Sequence, residues 1–292
     1  MKPPVFDYRA PRTVEEAVAI LAGDSDAMVL AGGQSLIPAM NFRLANPSLL
    51  VDLQHIESLK GVTLADGHIL VRAIVRHRDL ELDSEVGQAN PLIAEVLGHV
   101  AHIPIRNRGT VVGSLCHADA AAEMPMLLTL LGGSVLVQGP EGRREIAAAD
   151  FFQFHLTTSR RREEIALAAR FPVLAPDAGW AFDEFTRRHG DYAIAGVGVV
   201  LRLGPDGSAR QVRLAACGIA QRPLRLTEAE AILEGTTLGD ADLKVAGRVA
   251  AEAVTAPDDM HATTAYRRRL VATLVRRMVV KAAARARDRT RR

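Results

Sequence analysis

Small and hydroxyl residues pack around glycine in two short stretches of this 292-residue chain, Ala31 to Met40 (AGGQSLIPAM) and Ile105 to Pro125 (IRNRGTVVGSLCHADAAAEMP), each just after an apolar, strand-like run. Glycine lets the main chain turn through positive φ and come close to a ligand, and the amides so freed carry partial positive charge. That is phosphate-holding chemistry, and two such cradles point to a ligand with two phosphates. In the first, Ala31 leads into the Gly32-Gly33 turn, and Gln34 and Ser35 add side-chain donors ahead of Leu36. Asn41 and Arg43 either reach the ligand or lie exposed on the following helix. In the second, Gly109 and Gly113 supply flexible points and Thr110 and Ser114 supply hydroxyls, while Arg106 and Arg108 either touch phosphate or sit on the rim. A carboxylate repels phosphate but accepts hydrogen bonds from ribose or ribityl hydroxyls. Asp119 and Glu123 therefore fit the sugar chain of a nucleotide, or else cap the helix of the apolar run Met126 to Leu131. Four or five charge-assisted bonds of roughly 1.5 to 3 kcal/mol each would hold a dinucleotide.

Other chemistries are excluded or disfavoured. Neither GxxxxGK[ST] nor a GxGxxG opening a βαβ unit occurs, so the P-loop and Rossmann readings fail. Ser35 and Ser114 lack the GxSxG context of a hydrolase. His99, His102 and His117 read as structural, the first pair being spaced i, i+3 at a helix end with no acidic partner within reach by sequence. Cys116 and Cys217 are the only cysteines and form no CxxC, which excludes an iron–sulfur cluster or zinc cage held by this chain alone. It also fits a reducing, cytoplasmic setting. A net charge of +2 and 4% aromatic residues argue against nucleic acid. Every apolar run breaks before about 18 residues, so no membrane span is expected, and the start lacks the apolar stretch of a secretory signal.

The elements that position the cradles can be read from periodicity and turn chemistry. A helix over Thr13 to Ala22, with Thr13 as N-cap and Glu16 closing a capping box, precedes a strand at Met28 to Ala31; the helix Leu36 to Leu44 and the strand Leu49 to Leu53 complete a β-α-β unit. A second part, 56 to 175, mixes strands at Gly61 to Leu64, His68 to Ala73 and Ser134 to Gln138 with a helix over Pro91 to Val100. A polar loop, Thr158 to Arg162, precedes the strand Glu164 to Phe171. Pro172, Pro176, Asp177 and Gly179 mark a boundary near Ala175. Beyond it come a strand at Ala181 to Arg187 and a hairpin, Ala193 to Leu203 and Ala209 to Ile219, turned by GPDGS at Gly204 to Ser208. Helices follow at Glu228 to Leu233, capped by Thr227, at Asp240 to Val254 and at Thr264 to Ala284, with 285–292 a frayed basic tail.

These residues carry a resemblance. The runs from Ala31 to Leu53, Ile105 to Pro125, Phe182 to Leu201, Cys217 to Glu230 and His261 to Met278 together resemble the medium, FAD-binding subunit of molybdenum-containing hydroxylases, the carbon monoxide dehydrogenase and xanthine dehydrogenase flavoprotein family. The resemblance covers nearly the whole chain in order. It implies an α+β fold: a two-part FAD-binding domain of the vanillyl-alcohol-oxidase (PCMH) type over 1–175, then a C-terminal α/β domain over 176–284 with a three-stranded antiparallel sheet and helices. It places Ala31, Gly32, Gly33, Gln34, Ser35 and Leu36, and Thr110, Gly113 and Ser114, around the FAD pyrophosphate. Glu123 stands where the family has an acidic residue near the ribityl or ribose end. Tyr192 either approaches the isoalloxazine or packs in the core as a strand tyrosine. One departure is Val112, where the family pattern has glycine; a positive φ there would strain a β-branched residue.

The resemblance also implies a role. Substrate would be hydroxylated at a molybdopterin cofactor on a large subunit, and electrons would pass singly through two 2Fe-2S clusters on a small subunit to the FAD of this chain. From there they would go to NAD, a quinone, a carrier protein or oxygen. The assembly would be a heterohexamer with two copies of each subunit, and this chain would hold no substrate specificity. Two alternatives are a free-standing NAD(P)H-dependent flavin reductase of the same FAD fold and a flavin-free scaffold subunit.

Overall fold

The structure is a computed structural model and describes residues 2–290. The first subdomain comprises β1 (Asp7–Arg9), α1 (Val14–Gly23), β2 (Met28–Leu30), α2 (Leu36–Asn41) and β3 (Leu49–Asp52). Its parallel sheet has the order β1-β3-β2, with the buried strand Leu-Leu-Val-Asp of β3 in the centre. Thr13 caps α1 by accepting from the Glu16 N–H at 3.1 Å, but the Glu16 carboxylate reaches the N–H of Arg12 rather than Thr13, one residue short of a capping box. Helix α2 stops at Asn41, not Leu44, because Arg43 enters the left-handed region at φ 59° and breaks the ladder.

The second subdomain holds β4 (Val62–Ala65), β5 (His68–Arg72), a run of short helices, α3 (His77–Leu82), α4 (Ser84–Ala89), α5 (Pro91–Leu97), α6 (Ile103–Arg106), α7 (Val111–His117) and α8 (Glu123–Leu131), then β6 (Ser134–Gly139), β7 (Gly142–Ala147), α9 (Ala148–Phe151), β8 (Phe152–Phe154), β9 (Thr157–Thr158) and β10 (Ile165–Pro172). Its five-stranded antiparallel sheet runs β4-β5-β10-β6-β7. The alternating burial of β6 faces Val135 and Val137 into a core shared with Ile69, Val71, Phe171 and the fully buried α8. The second cradle is not a glycine loop: it folds as the start of α7, capped by Thr110, whose hydroxyl accepts from the N–H of Gly113 at 3.1 Å.

The C-terminal domain has the three long antiparallel strands expected, β11 (Gly179–Phe185), β12 (Ala195–Leu203) and β13 (Ala209–Cys217), plus a two-residue fourth, β14 (Leu224–Arg225), in sheet order. Helices α10 (Thr227–Leu233), α11 (Asp240–Glu252) and α12 (Thr264–Thr290) cover one face. Thr227 is the first helical residue, with Leu226 in the capping position. α12 runs past Ala284, so the described part of the expected tail is helix; 291–292 lie outside the described residues. Burial holds it: Ala282, Ala283 and Ala286 pack into the core, and Arg285 and Arg289 sit 5.0 Å from the Trp180 ring on β11.

The two domains are clamped at Glu95 of α5. It accepts from Trp180 Nε1 at 3.1 Å, Lys281 Nζ at 2.8 Å and Arg285 Nη1 at 2.6 Å. Burial alone would raise its carboxyl, but these hydrogen bonds outweigh that and hold it below the usual range. Glu95→Ala removes the shared acceptor of three donors on two elements, and only Arg285 keeps another, the Trp180 carbonyl at 2.9 Å. A loss of roughly 2 kcal/mol is expected, read as a lower denaturation midpoint; an unchanged midpoint would show that the clamp contributes nothing.

Candidate functional site

The first cradle is built by the end of β2. Among the described residues, no backbone amide from Gly32 to Ser35 donates to another backbone group, leaving four donors for a ligand. Gly33 turns the chain at φ 70°. Gly32 has a different reason to be glycine: a Cβ there would lie 2.5 Å from the carbonyl oxygen of Arg108, 2.7 Å from Gly109 Cα and 2.9 Å from Thr110 N. The two cradles, expected separately, therefore meet backbone to backbone. A Cβ on Gly113 would likewise fall 3.9 Å from that of Ala31.

Beside this junction lies a crevice of about 540 Å³ lined by Ala31, Gly32, Gly33 and Gln34 together with Asn41, Asp52, Gln54, Arg76 and Arg108. Ser35 and Leu36 begin α2 and Thr110 is buried at 2%, so of the expected set these stand behind the lining. Arg108 belongs to the crevice. Arg106 does not: it is buried against Glu81 at 2.9 Å and donates to the Val100 carbonyl. Arg43 is exposed.

Residues that local sequence did not single out brace the junction. Tyr8 donates its hydroxyl to Asp52 at 2.6 Å, Asp52 accepts from the Gln54 N–H at 2.9 Å, and Gln54 Nε2 donates to the Ala31 carbonyl at 2.8 Å. Arg76 then donates to Gln54 Oε1 at 2.5 Å and to the Arg108 carbonyl. One guanidinium thus ties the first cradle to the second and adds positive charge where phosphate would sit. Every side-chain donor in this chain of bonds has a distant partner, so no local motif could have found it.

α7 leads from this junction to a second group. Its seven residues span about 10 Å, and Val112 lies within it, outside the positive-φ residues and 2% exposed, so the expected backbone strain is absent. Past its C-terminus, Asp119 caps the turn by accepting from the Ala121 N–H at 2.8 Å, and Glu123 opens α8 with 4% exposure. Tyr192 precedes β12 and is 53% exposed, so it is not a core tyrosine. Burial of the inner part of its ring, and then the Asp119 and Glu123 carboxyls, raise its phenol above the usual range. The Tyr192 loop is anchored by buried Arg267 of α12, which donates to the carbonyls of Ile194 and Gly218 and to Asp259. His99, read as lacking an acidic partner, has one in Glu184 of β11, at 3.5 Å.

These parts fit a flavin dinucleotide: unpaired amides and two arginines for a pyrophosphate, and carboxyls and an exposed aromatic ring one short helix away. The family model for the FAD binding domain in molybdopterin dehydrogenase matches residues 4–174, and that for the CO dehydrogenase flavoprotein C-terminal domain matches residues 180–282. The chain is 39% identical to the 6-hydroxypseudooxynicotine dehydrogenase complex subunit alpha of Paenarthrobacter nicotinovorans, covering 98% of this chain and 97% of that one. It is 36% identical to the carbon monoxide dehydrogenase medium chain of Afipia carboxidovorans, covering 99% and 100%. The solved carbon monoxide dehydrogenase of Hydrogenophaga pseudoflava superposes with a TM-score of 0.95 at 34% identity, over 98% of this chain and 99% of that one. Quinoline 2-oxidoreductase of Pseudomonas putida 86 gives 0.94 at 36%, with the same coverage. With both domain models matched in order, the chain belongs to the family of FAD-binding medium subunits of molybdopterin dehydrogenases.

Proposed function

We propose that this chain binds FAD across the Gly32 junction and serves as the electron-transfer subunit of a cytoplasmic molybdenum hydroxylase, beside a molybdopterin-binding large subunit and an iron–sulfur small subunit. The meeting of the two cradles at Gly32 carries the reading, because it brings the unpaired amides of the first and the start of α7 together beside a crevice lined by Arg76 and Arg108. The amides of Gly32 to Ser35, with Arg76 and Arg108, neutralise the phosphates. Asn41 and the Gln34 side chain orient the chain of the ligand, and Asp119, Glu123 and Tyr192 receive the flavin end. Bound there, FAD supplies the ability to accept electrons singly and release them in pairs. The chain's own part would be to hold the ring beside the exposed Tyr192, within reach of the partner that delivers electrons. NAD, a quinone, a carrier protein or oxygen would take them.

FAD titration of the apo chain, followed by flavin fluorescence, tests this. Saturable binding is expected, weakened at least tenfold in Arg76→Ala, which removes one charged donor worth roughly 1.5 to 3 kcal/mol and unties the cradles. Failure to bind FAD, alone or with the partner subunits, would overturn the reading.

A further inference from the structure

We propose that the surface formed by the β11–β12 loop and the start of α12 docks an acidic electron-carrier protein. What passes across it rests on the FAD reading above, whereas the surface itself is built from contacts that involve no flavin.

Two stretches far apart in the chain, 185–192 and 258–269, make one face. The loop between β11 and β12 is closed by the Ile194 N–H, which donates to the Phe185 carbonyl at 2.9 Å. Buried Arg267 reaches from α12 to the Ile194 carbonyl and to Asp259, and Asp259 in turn accepts from the N–H groups of His261 and Ala262 at 2.7 and 2.8 Å. Side chains complete the seam: the Phe185 and Tyr266 rings meet edge to face at 6.0 Å, and Arg187 Nη1 lies 2.8 Å from His261 Nδ1. Beside them Thr263, Thr264, Arg268 and Arg269 line a recess of about 650 Å³, and the Arg269 guanidinium stands 5.9 Å from the Tyr266 ring.

Its apolar content and its charge point to the occupant. Met260 is 89% exposed, and Phe185 and Tyr192 also stand in water. Arg187, Arg188, Arg268 and Arg269 are exposed, and among the described residues none of them forms an ion pair with a carboxylate, unlike Arg161 on Glu141 or Arg276 on Asp240. The acids of the face are engaged within it or set back: Asp258 accepts from the Thr264 N–H at 2.6 Å, Asp259 holds Arg267, and Asp191 is half-buried. Arginine, aromatic residues and methionine are the types that protein interfaces concentrate, and lysine is among those they deplete; neither stretch contains a lysine. A guanidinium sheds water more readily than an ammonium and meets a carboxylate with two parallel bonds. Four of them beside an apolar centre fit a protein face that sets aspartate and glutamate around its own apolar contact. Because the same loop holds Tyr192, which the FAD reading puts at the flavin end, a protein seated here is an electron carrier.

The test uses cytochrome b5 as an acidic probe and cytochrome c as a basic one, each mixed with the full chain at low ionic strength. Calorimetry is expected to show cytochrome b5 binding that weakens about tenfold in Arg268→Glu/Arg269→Glu, and haem reduction by the photochemically reduced, FAD-loaded chain is expected to slow by a similar factor and to fall with added salt. Cytochrome c gains rather than loses from the same change. Arg248→Glu/Arg277→Glu alters the net charge equally, at exposed positions on α11 and about two turns further along α12, and leaves both readouts level. Equal effects of the two double variants, or no preference for the acidic probe, would overturn the docking face. Loss of the partner subunits from a purified complex carrying Arg268→Glu/Arg269→Glu would assign the face to subunit assembly and overturn the carrier as its occupant. A chain that takes up no FAD would overturn the FAD reading and the electron-transfer use with it, while the calorimetry still decides the surface.

Discussion

Gly32→Ala is expected to weaken FAD binding about 100-fold while leaving the chain folded. The added methyl would sit 2.5 Å from the Arg108 carbonyl oxygen, 2.7 Å from Gly109 Cα and 2.9 Å from Thr110 N. All three are backbone, so no side chain can rotate away, and the only relief is to drive the second cradle off the first. Overpacking of this kind costs about 1 to 3 kcal/mol. Here it falls on the surface that must close around two phosphates, and it separates Arg108 and the start of α7 from the free amides of Gly32 to Ser35. A loss of about 100-fold in affinity follows if the full strain is relieved by opening the site. Gly33→Ala is the useful contrast. Its neighbours are the side chains of Ile37 and Leu30 at 3.2 and 3.4 Å, which can yield, and its penalty is the left-handed backbone at φ 70°, about 1 to 2 kcal/mol. Flavin titration of both variants orders them, and a Gly32→Ala chain binding as tightly as Gly33→Ala would show that the close approach at Gly32 does not matter to the site.

The same contrast explains how much of the site could be read from the sequence. Gly33 is glycine for a local reason, a turn between a strand and a short helix, and the flanking residues announce it. Gly32, Gly109 and Gly113 are glycines for non-local or self-made reasons: another cradle, the ring of His77 with Nδ1 at 2.9 Å from where a Cβ would sit, and the Thr110 hydroxyl at 2.4 Å. Sequence alone read Gly109 and Gly113 as flexible points, yet neither has positive φ. Asp119 and Glu123 were legible from residue type as acceptors for a sugar chain, whereas Tyr192 came from a resemblance and lies in the other domain, where no local motif connects it to them. Arg76 and Gln54 left no local trace because every side-chain bond they make crosses between chain segments. In the fold, alternating strands such as β6 were legible, whereas β7, with a single buried residue, Ile146, showed no period to read.

Acid should weaken the chain through His77, and more steeply than its carboxylates alone would. His77 begins α3 with 5% exposure; its N–H donates to the Gly109 carbonyl at 2.9 Å, and both ring nitrogens are buried without a partner. Burial, and secondarily the charge of Arg106, depress the imidazole to about 4. The folded chain therefore holds His77 neutral where the unfolded chain, with an ordinary value near 6.5, already binds a proton. Stability from this residue is complete above pH 6.5 and is lost as pH falls from 6.5 toward 4, a total of roughly 3 kcal/mol at about 1.4 kcal/mol per unit. The lost stability concentrates at the second cradle, because a charged ring beneath Gly109 must move toward water and take the Arg108 to Thr110 backbone with it. Wild type and His77→Leu compared by urea denaturation at pH 7 and pH 4.5 isolate this contribution from that of the carboxylates, which both chains share. The variant is expected to lose roughly 2 to 3 kcal/mol less between the two pH values. Equal losses in the two chains would mean that His77 is not held neutral, and that the pH sensitivity of the cradle lies elsewhere.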